Sequence, residues 1–294
     1  MAAPKKKSRK DYLYFCIWLF GFIALCLYLL PSIINTYTNI TQVITVGEAE
    51  KKIAGKSDEE IENEKRAALA YNEKLAEEQL ISPFAYQGQT ATDKEYESLL
   101  SSGSGKSDNI MAYIEIPSID VYLPIAHGTS DAILSYEAGH MYGSSLPIGG
   151  KSSNAIIAAH TGLPTAKLFT DVKKLTIGDE IYITVMDETH CYVVSRIDTV
   201  PSEGNEEQKY LQIDGQKDTI VLYTCTPYGV NSERYLVRAE RNTAKDKKIN
   251  RSKQAEEYRT RCTRTILTFM SLLMIPVIYQ LAWALWRVKR HRKQ

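Results

Sequence analysis

The sequence predicts a mainly β domain held between two apolar helices. Its 294 residues contain two long uncharged apolar runs, one near each end. Seven shorter β-type runs lie between positions 110 and 241 and are separated by turn residues. This spacing is typical of a closed barrel or a sandwich. Period-two alternation fixes the face on which a side chain lies but does not show whether the sheet closes, so both architectures stay open.

The two apolar runs cover residues 12–34 and 265–286. Each exceeds the roughly 20 residues that a helix needs to cross the hydrocarbon core of a bilayer. A secretory signal has a shorter apolar core, of about 7 to 15 residues, and a small-residue cleavage site after it. No convincing site follows the first run, which we therefore interpret as a retained membrane span.

Basic residues at the outer ends of both runs predict the topology. They are Lys5, Lys6, Lys7, Arg9 and Lys10 before the first run, and Arg287, Lys289, Arg290, Arg292 and Lys293 after the second. Because basic loops stay in the cytoplasm, both termini are predicted to be cytoplasmic and the residues between the runs extracytoplasmic. Arg259, Arg261 and Arg264 weaken this signal, but two spans with inner termini still require an outer middle. The formal net charge of +1 gives no argument for a nucleic-acid partner.

A helix is predicted ahead of the β domain, over residues 57–80. Ser57 and Glu60 have the spacing of a capping box, and strong helix formers follow them. A narrow apolar stripe indicates a surface helix and consists of Ile61, Ala68, Leu75 and Ala76. Pro83 is expected to end the helix, and a Ser/Gly-rich loop leads on to the β domain.

Two of the five cysteines, Cys191 and Cys225, fall in the predicted outer domain. Cys191 lies in a strand-like run, where a cysteine packs as a small apolar residue. A disulfide between the two is compatible with an exported domain, although a lone pair is not a disulfide framework. Cys225 ends the run "TIVLYTC" and is a candidate nucleophile. A free thiol has a pKa near 8.5, so this role requires a neighbouring base or cation.

Histidine is the usual partner of such a cysteine, and the outer domain contains four. His160 ends the run "NAIIAAH" where a strand gives way to a loop, as Cys225 does, so adjacent strands would present both side chains at one rim. His190 is interpreted as a solvated residue at a hairpin tip. His127 and His140 lie in loop-like settings and have either a structural role or a place in the same cleft.

The stretch "LYTCTPYGVNSERYLVRAER" resembles the signature of sortases, the cysteine transpeptidases of Gram-positive cell surfaces. Their motif is Thr-Leu-x-Thr-Cys, followed at a short interval by an arginine. Its positions here are Val221, Leu222, Tyr223, Thr224 and Cys225, with Val in place of the first Thr. The resemblance covers about 110–241. It implies that Cys225 is the nucleophile, that His160, in "AAHTGLPTAKLFTDVKKL", is the acid–base group, and that Arg234 holds the substrate backbone or the oxyanion.

Four features resemble the pilin-polymerising class C of this family: "CTPYGVN", "GSSLPIGG", the second membrane span and the helical extension ahead of the β domain. The resemblance implies a closed β-barrel with short helices at 110–241. The implied flanking parts are a cytoplasmic basic tail at 1–11, the span at 12–34, an extracytoplasmic helical region at 35–109, a juxtamembrane linker at 242–264, the span at 265–286 and a second basic tail at 287–294.

Class C sortases also carry a lid, an Asp-Pro-aromatic tripeptide ahead of the barrel. The resemblance places it at about 81–87, with Ser82, Pro83 and Phe84 as the tripeptide. Serine replaces the aspartate that would pair with the catalytic arginine, whereas Phe84 is expected to cover the cysteine. The alternative is an ordinary helix end with a packing phenylalanine.

The implied reaction cleaves a sorting signal resembling Leu-Pro-x-Thr-Gly between Thr and Gly, through a thioester on Cys225. A lysine amine of another pilin subunit then accepts the acyl group, and no metal or organic cofactor is needed. The implied partners are pilins and the cell membrane. The alternatives are a housekeeping-type cell-wall anchoring sortase, an exported cysteine peptidase, and a non-catalytic adhesin or scaffold.

Overall fold

The computed structural model describes residues 9–81, 94–101, 109–163, 166–202, 208–246, 260, 263–268, 270–280 and 282–283. The helices up to the end of the barrel that have at least four residues are α1 (Arg9–Ala54), α2 (Asp58–Ile81), α3 (Lys94–Ser98), α4 (Asp131–Leu134) and α5 (Gln208–Leu211). The strands are β1 (Ile110–Ile116), β2 (Val121–His127), β3 (Ala138–His140), β4 (Ser153–Ala158), β5 (Glu180–Val185), β6 (Glu188–Pro201), β7 (Asp218–Thr226) and β8 (Glu233–Arg241).

The strands form a closed barrel in the order β1-β2-β3-β4-β7-β8-β6-β5, which β5 closes by pairing with β1. The β2–β3 and β4–β7 pairs are parallel, and the other described pairs are antiparallel. Apolar side chains of alternate strand positions, such as Ile220 and Leu222 of β7, fill the interior. The predicted barrel is confirmed, and the sandwich is excluded.

The strand that the sequence pattern missed is β3. Its three residues, Ala138 to His140, show no apolar alternation. They become a strand because β2 pairs with them in parallel on one side and β4 pairs antiparallel on the other. A strand this short is specified by its neighbours rather than by its own sequence. After His160, the segment before β5 contains a 3-10 helix at 172–174.

Helix α1 continues without interruption from the first apolar run onto the barrel. Large apolar side chains from Leu13 to Leu30 are mostly exposed. Farther along, Val43, Val46 and Ala49 are buried against β1 and β2. Two helices, Leu13–Ala54 and Thr263–Gln280, are long and apolar enough to cross a membrane by length and composition.

Helix α2 begins with the predicted capping box. The Ser57 backbone N–H donates to Glu60 Oε2 at 2.7 Å, and the Glu60 N–H donates to Ser57 Oγ at 3.3 Å. The helix is more than a surface element, because Ala68 and Leu75 are buried. Pro83, which was expected to end this helix, lies outside the described residues.

The loop "GSSLPIGG" (143–150) holds α2 against the barrel. The Asn72 side chain of α2 bonds both backbone groups of Leu146: Nδ2 donates to the carbonyl at 3.0 Å, and Oδ1 accepts from the N–H at 2.7 Å. At Gly149 (φ +76°), an added Cβ would lie 2.5 Å from Arg241 Nη1, so a larger residue would displace that side chain. The motif therefore has a structural role.

His127 and His140 form a buried cluster with Tyr96 of α3. The Tyr96 hydroxyl bonds His140 Nδ1 at 2.9 Å and accepts the Gly128 N–H at 3.1 Å. His127 contacts the carbonyls of Asn109 and Leu99 through its two ring nitrogens. Of the two predicted roles for these histidines, the contacts support the structural one.

We expect acid to destabilise the protein through His140. Burial lowers the pKa of His140 from 6.5 to about 4, whereas the unfolded chain protonates near 6.5. Between these values the unfolded state binds more protons. The free energy of unfolding therefore decreases as the pH is lowered, by about 1.4 kcal/mol per pH unit for each such group. Denaturant unfolding of the full-length protein in detergent should show a shallower pH dependence for His140→Gln. Equal slopes for the two proteins would contradict this account.

The prediction that His190 is solvated was wrong, because its side chain is buried. Lys65 of α2 forms ion pairs with Asp187 and Glu188, and so packs α2 onto the β5–β6 hairpin. Burial, reinforced by the charge of Arg241, lowers the pKa of His190 to about 4. The residue is a neutral component of the packed hairpin.

Candidate functional site

Cys225 and Arg234 lie directly opposite each other on β7 and β8. Directly opposed residues of an antiparallel pair have their side chains on the same face of the sheet. Leu222 points into the barrel, so alternation puts Tyr223 and Cys225 on the outer face. The predicted nucleophile and the predicted arginine are therefore neighbours on the outside of the barrel, and both are half-buried.

Hydrogen bonds from Nε and Nη1 hold the Arg234 guanidinium. Its Nε donates to the Tyr223 hydroxyl at 2.9 Å, and its Nη1 donates to the carbonyls of Asn231 and Glu233 at 3.0 and 3.2 Å. Tyr223 precedes Cys225 by two residues and shares its face. Arginine presents a planar fork of donors, so these contacts orient that fork beside the cysteine strand.

His160 is held level with Cys225 by the parallel pairing of β4 and β7. Ala158 is the register partner of Tyr223, and two further residues along each chain lead to His160 and Cys225. The hydrogen bonds continue past the strand end: the Ala159 N–H donates to the Tyr223 carbonyl at 3.2 Å, and Thr161 Oγ1 donates to the Cys225 carbonyl at 2.9 Å. The residues on both sides of His160 are thus tied to the cysteine strand.

The rest of the motif has structural roles. Thr224 is buried, and its hydroxyl donates to the Ala159 carbonyl at 2.6 Å, which joins the cysteine strand to the histidine strand. Val221 packs in an outer apolar cluster with Ile156, Val200 and Leu236. This environment accommodates a β-branched apolar side chain, which explains Val at the position where the motif has Thr.

Both cysteines of the predicted outer domain are free thiols, so the Cys191–Cys225 disulfide is not formed. Cys191 is fully buried, and burial raises the pKa of its thiol. Cys225 is partly exposed and is the accessible candidate for nucleophilic chemistry. In the part of the chain that the structure describes, no three His, Cys, Asp or Glu side chains form a metal site.

The proposed lid residues Ser82, Pro83 and Phe84 lie outside the described residues. Their closure over Cys225 stays a prediction.

Two contacts at the site were not predicted from the sequence. Tyr223 occupies the unspecified position of the motif, so only its alternation with Cys225 signalled a place on the same face. Tyr228 packs against Gly162 (φ +72°), where an added Cβ would lie 1.8 Å from the ring. The loop after His160 and the loop after Cys225 are therefore in contact.

A thiol, an imidazole and an oriented guanidinium at one rim are the groups needed for acyl transfer through a thioester. The thiolate is the attacking form, histidine exchanges protons near neutral pH, and a fixed cation stabilises an oxyanion.

The sortase-domain family model matches residues 114–242. Sortase C1 from Streptococcus agalactiae superimposes with a TM-score of 0.57 at 36% identity, covering 66% of this chain and 95% of that structure. Sortase C from Streptococcus pneumoniae gives a TM-score of 0.55 at 35% identity, covering 67% and 95%. Sortase A of S. agalactiae serotype III (strain NEM316) is 29% identical over 174 residues, which are 58% of this chain and 68% of that protein.

The matched region includes Cys225 on β7, Arg234 on β8 and His160, two residues after the end of β4. The similarity to sortase C structures extends over nearly the whole of each of them. The chain therefore belongs to the sortase family of cysteine transpeptidases, and its solved structural neighbours include class C sortases.

Proposed function

We propose that this protein is a membrane-anchored sortase that joins pilin subunits covalently. The observation that carries the proposal is the direct pairing of Cys225 with Arg234, with His160 just beyond the end of the adjacent strand, at the level of Cys225. The structure of the S. pneumoniae neighbour concerns pilin substrate specificity, which supports pilins as the substrate class.

In the first half of the proposed reaction, the Cys225 thiolate attacks the threonine carbonyl carbon of an LPXTG-like signal. The carbon–sulfur bond forms, and Arg234 stabilises the negative oxygen of the tetrahedral intermediate. The carbon–nitrogen bond to glycine then breaks as His160 gives its proton to the leaving amine. A thioester and a free glycine amine are produced, with no change of oxidation state.

In the second half, a lysine amine of another pilin attacks the thioester. His160 takes the proton that this nitrogen loses, and the carbon–sulfur bond breaks to regenerate the Cys225 thiolate. The product is an isopeptide bond between subunits. Water in place of lysine would give a free acid, which is the product of the alternative peptidase.

Membrane attachment is the second part of the proposal. Sortases are membrane-associated cell-surface proteins, and two helices of this chain have the length and composition of membrane spans. With basic residues at both ends, the proposed topology puts the termini in the cytoplasm and the barrel outside.

The test uses the full-length protein in detergent with an LPXTG-like peptide, with or without a lysine-bearing pilin peptide. Mass spectrometry should detect an acyl adduct on Cys225, and addition of the lysine peptide should convert it into an isopeptide-linked product. Free acid as the sole product at saturating lysine peptide would support the peptidase instead. No adduct on Cys225 would leave a non-catalytic adhesin or scaffold.

A further inference from the structure

A cleft of about 550 Å³ separates the catalytic loops from α1. One wall consists of Pro31, Ser32 and Asn35 of α1. The other wall includes Thr161 and Gly162, directly after His160, and Tyr228, three residues after Cys225. The cleft therefore adjoins the catalytic rim, and its far wall is the helix that carries the first candidate span.

The α1 wall coincides with the end of the stretch whose apolar side chains are exposed. From Leu13 to Leu30 the helix is about 26 Å long at 1.5 Å per residue, close to the roughly 30 Å of a hydrocarbon core. The next five residues, up to Asn35, rise by about 7.5 Å. This rise matches the roughly 5 to 7.5 Å of one headgroup layer. In an anchored protein the cleft therefore lies at headgroup depth.

The cleft has the charge of an anion site. Its described lining residues include two lysines, Lys167 and Lys173, and no carboxylate. Lys167 donates to the Ile119 carbonyl and forms an ion pair with Asp171. Lys173 is exposed and has no hydrogen-bond or ion-pair partner among the described residues. Its ammonium group can therefore bind an anion without breaking a contact within the described part of the fold.

Apolar groups on the same loops suit a bilayer surface. Tyr228 and Val230, on the turn between β7 and β8, are 68% and 70% exposed. Tyrosine is enriched at membrane–water interfaces, where its ring lies at headgroup level. A lysine near an anionic bilayer contributes about 1 kcal/mol of attraction.

We propose that this cleft binds the phosphate of an anionic phospholipid headgroup, and that this contact holds the catalytic end of the barrel against the bilayer. The inference rests on the proposed membrane anchorage of α1. Lys173 supplies the cation, and the polar groups of Ser32, Asn35 and Thr161 lie along the same walls. Since Thr161 also bonds the Cys225 carbonyl, the nucleophile is held at the membrane surface.

Lys174 is a matched internal control. It is adjacent to Lys173 on the same 3-10 helix and is exposed, but it pairs with Asp171 at 2.8 Å and does not line the cleft. Successive residues of a 3-10 helix point in directions about 120° apart. A headgroup in the cleft should therefore protect Lys173 alone, whereas a diffuse attraction to the bilayer should affect both lysines similarly.

The experiment reconstitutes the full-length protein in phosphatidylcholine vesicles, with or without phosphatidylglycerol, and measures amine acetylation at each lysine by mass spectrometry. With phosphatidylglycerol, acetylation of Lys173 should slow by about five-fold, while that of Lys174 should change less than two-fold. A photoactivatable phosphatidylglycerol headgroup should crosslink to peptides that contain Tyr228 or residues 161–163. The yield should fall about five-fold in Lys173→Gln but not in Lys174→Gln.

Equal protection of the two lysines, or of neither, would overturn the inference. Protection of Lys173 by inorganic phosphate in detergent to the same degree would identify a free-phosphate site, and protection by the LPXTG-like peptide alone would identify a peptide subsite. Either result would overturn the lipid assignment. Alkaline extraction distinguishes failure of the proposed membrane anchorage from failure of the lipid site alone. Release of the protein from the vesicles would overturn the anchorage as well, whereas a retained protein with an unprotected Lys173 would leave the proposed function intact.

Discussion

Cys225→Ala is expected to abolish both the acyl adduct and the isopeptide product while the protein stays folded. In the proposed reaction the thiolate forms the thioester that carries the acyl group to the lysine. No other described group at the rim replaces it. The residue is partly exposed at a strand end, so loss of its sulfur leaves the barrel core unchanged. Intact-mass spectrometry after incubation with the LPXTG-like peptide measures the adduct, and gel analysis with the lysine peptide measures the product.

Cys191→Ala is the matched control for this substitution. Cys191 is a free thiol buried in β6, so its replacement should reduce stability slightly and leave the adduct on Cys225. Thermal unfolding of both variants separates loss of chemistry from loss of fold. An isopeptide product formed by Cys225→Ala at the wild-type rate would refute the assignment of the nucleophile.

Strand alternation and turn residues are sufficient to predict seven of the eight strands found in the described ranges. The strand that was not predicted is β3, which has no strand pattern of its own. Its residues are Ala, Gly and His, and their pairing with β2 and β4 is decided by tertiary contacts. Closure of the barrel is equally non-local, because it depends on the pairing of β5 with β1.

Burial of the histidines could not be predicted from local sequence. His190 lies three residues into a hairpin of polar appearance, and α2 covers that hairpin through Lys65. The ion pairs join residues more than 120 positions apart. Likewise, His140 follows a glycine in a short strand, and its buried partner Tyr96 comes from α3.

The positions of the candidate site residues could be predicted because each lies at a strand end. Cys225 and Arg234 flank one turn, so antiparallel pairing of β7 and β8 brings them together. The role of Tyr223 could not be predicted, because a β-strand tyrosine ordinarily packs on its neighbours. Its bond to Arg234 depends on the rotamer of the arginine as well as on the register.

His160→Ala and Arg234→Ala are each expected to lower the rate of adduct formation by at least ~10²-fold, the range for positioned acid–base and oxyanion groups. Their effects should differ in kind. Loss of His160 removes the proposed proton donor for the glycine amine, whereas loss of Arg234 removes the proposed donor to the oxyanion. The decrease in rate caused by Arg234→Ala should persist across the pH range, since arginine stays charged.

A severe effect of His127→Ala or His140→Ala on the rate per folded molecule, with a mild effect of His160→Ala, would refute the histidine assignment.

Tyr223→Phe tests whether the orientation of Arg234 matters as well as its charge. It removes the 2.9 Å bond to Nε and keeps the two Nη1 bonds to backbone carbonyls. We therefore expect a decrease in kcat of roughly 3- to 10-fold, with KM nearly unchanged. This is less than the roughly 1.5 to 3 kcal/mol of a whole hydrogen bond to a charged group, because the two Nη1 bonds still orient the guanidinium. Arg238→Ala is the control, because this arginine is on the same strand but pairs with Asp214, away from the cysteine. If Arg238→Ala lowers the rate as much as Arg234→Ala, the decrease comes from the loss of a positive charge on β8 and not from the position of Arg234. If Tyr223→Phe has the wild-type kcat, the tyrosine contact does not position Arg234 for the proposed reaction.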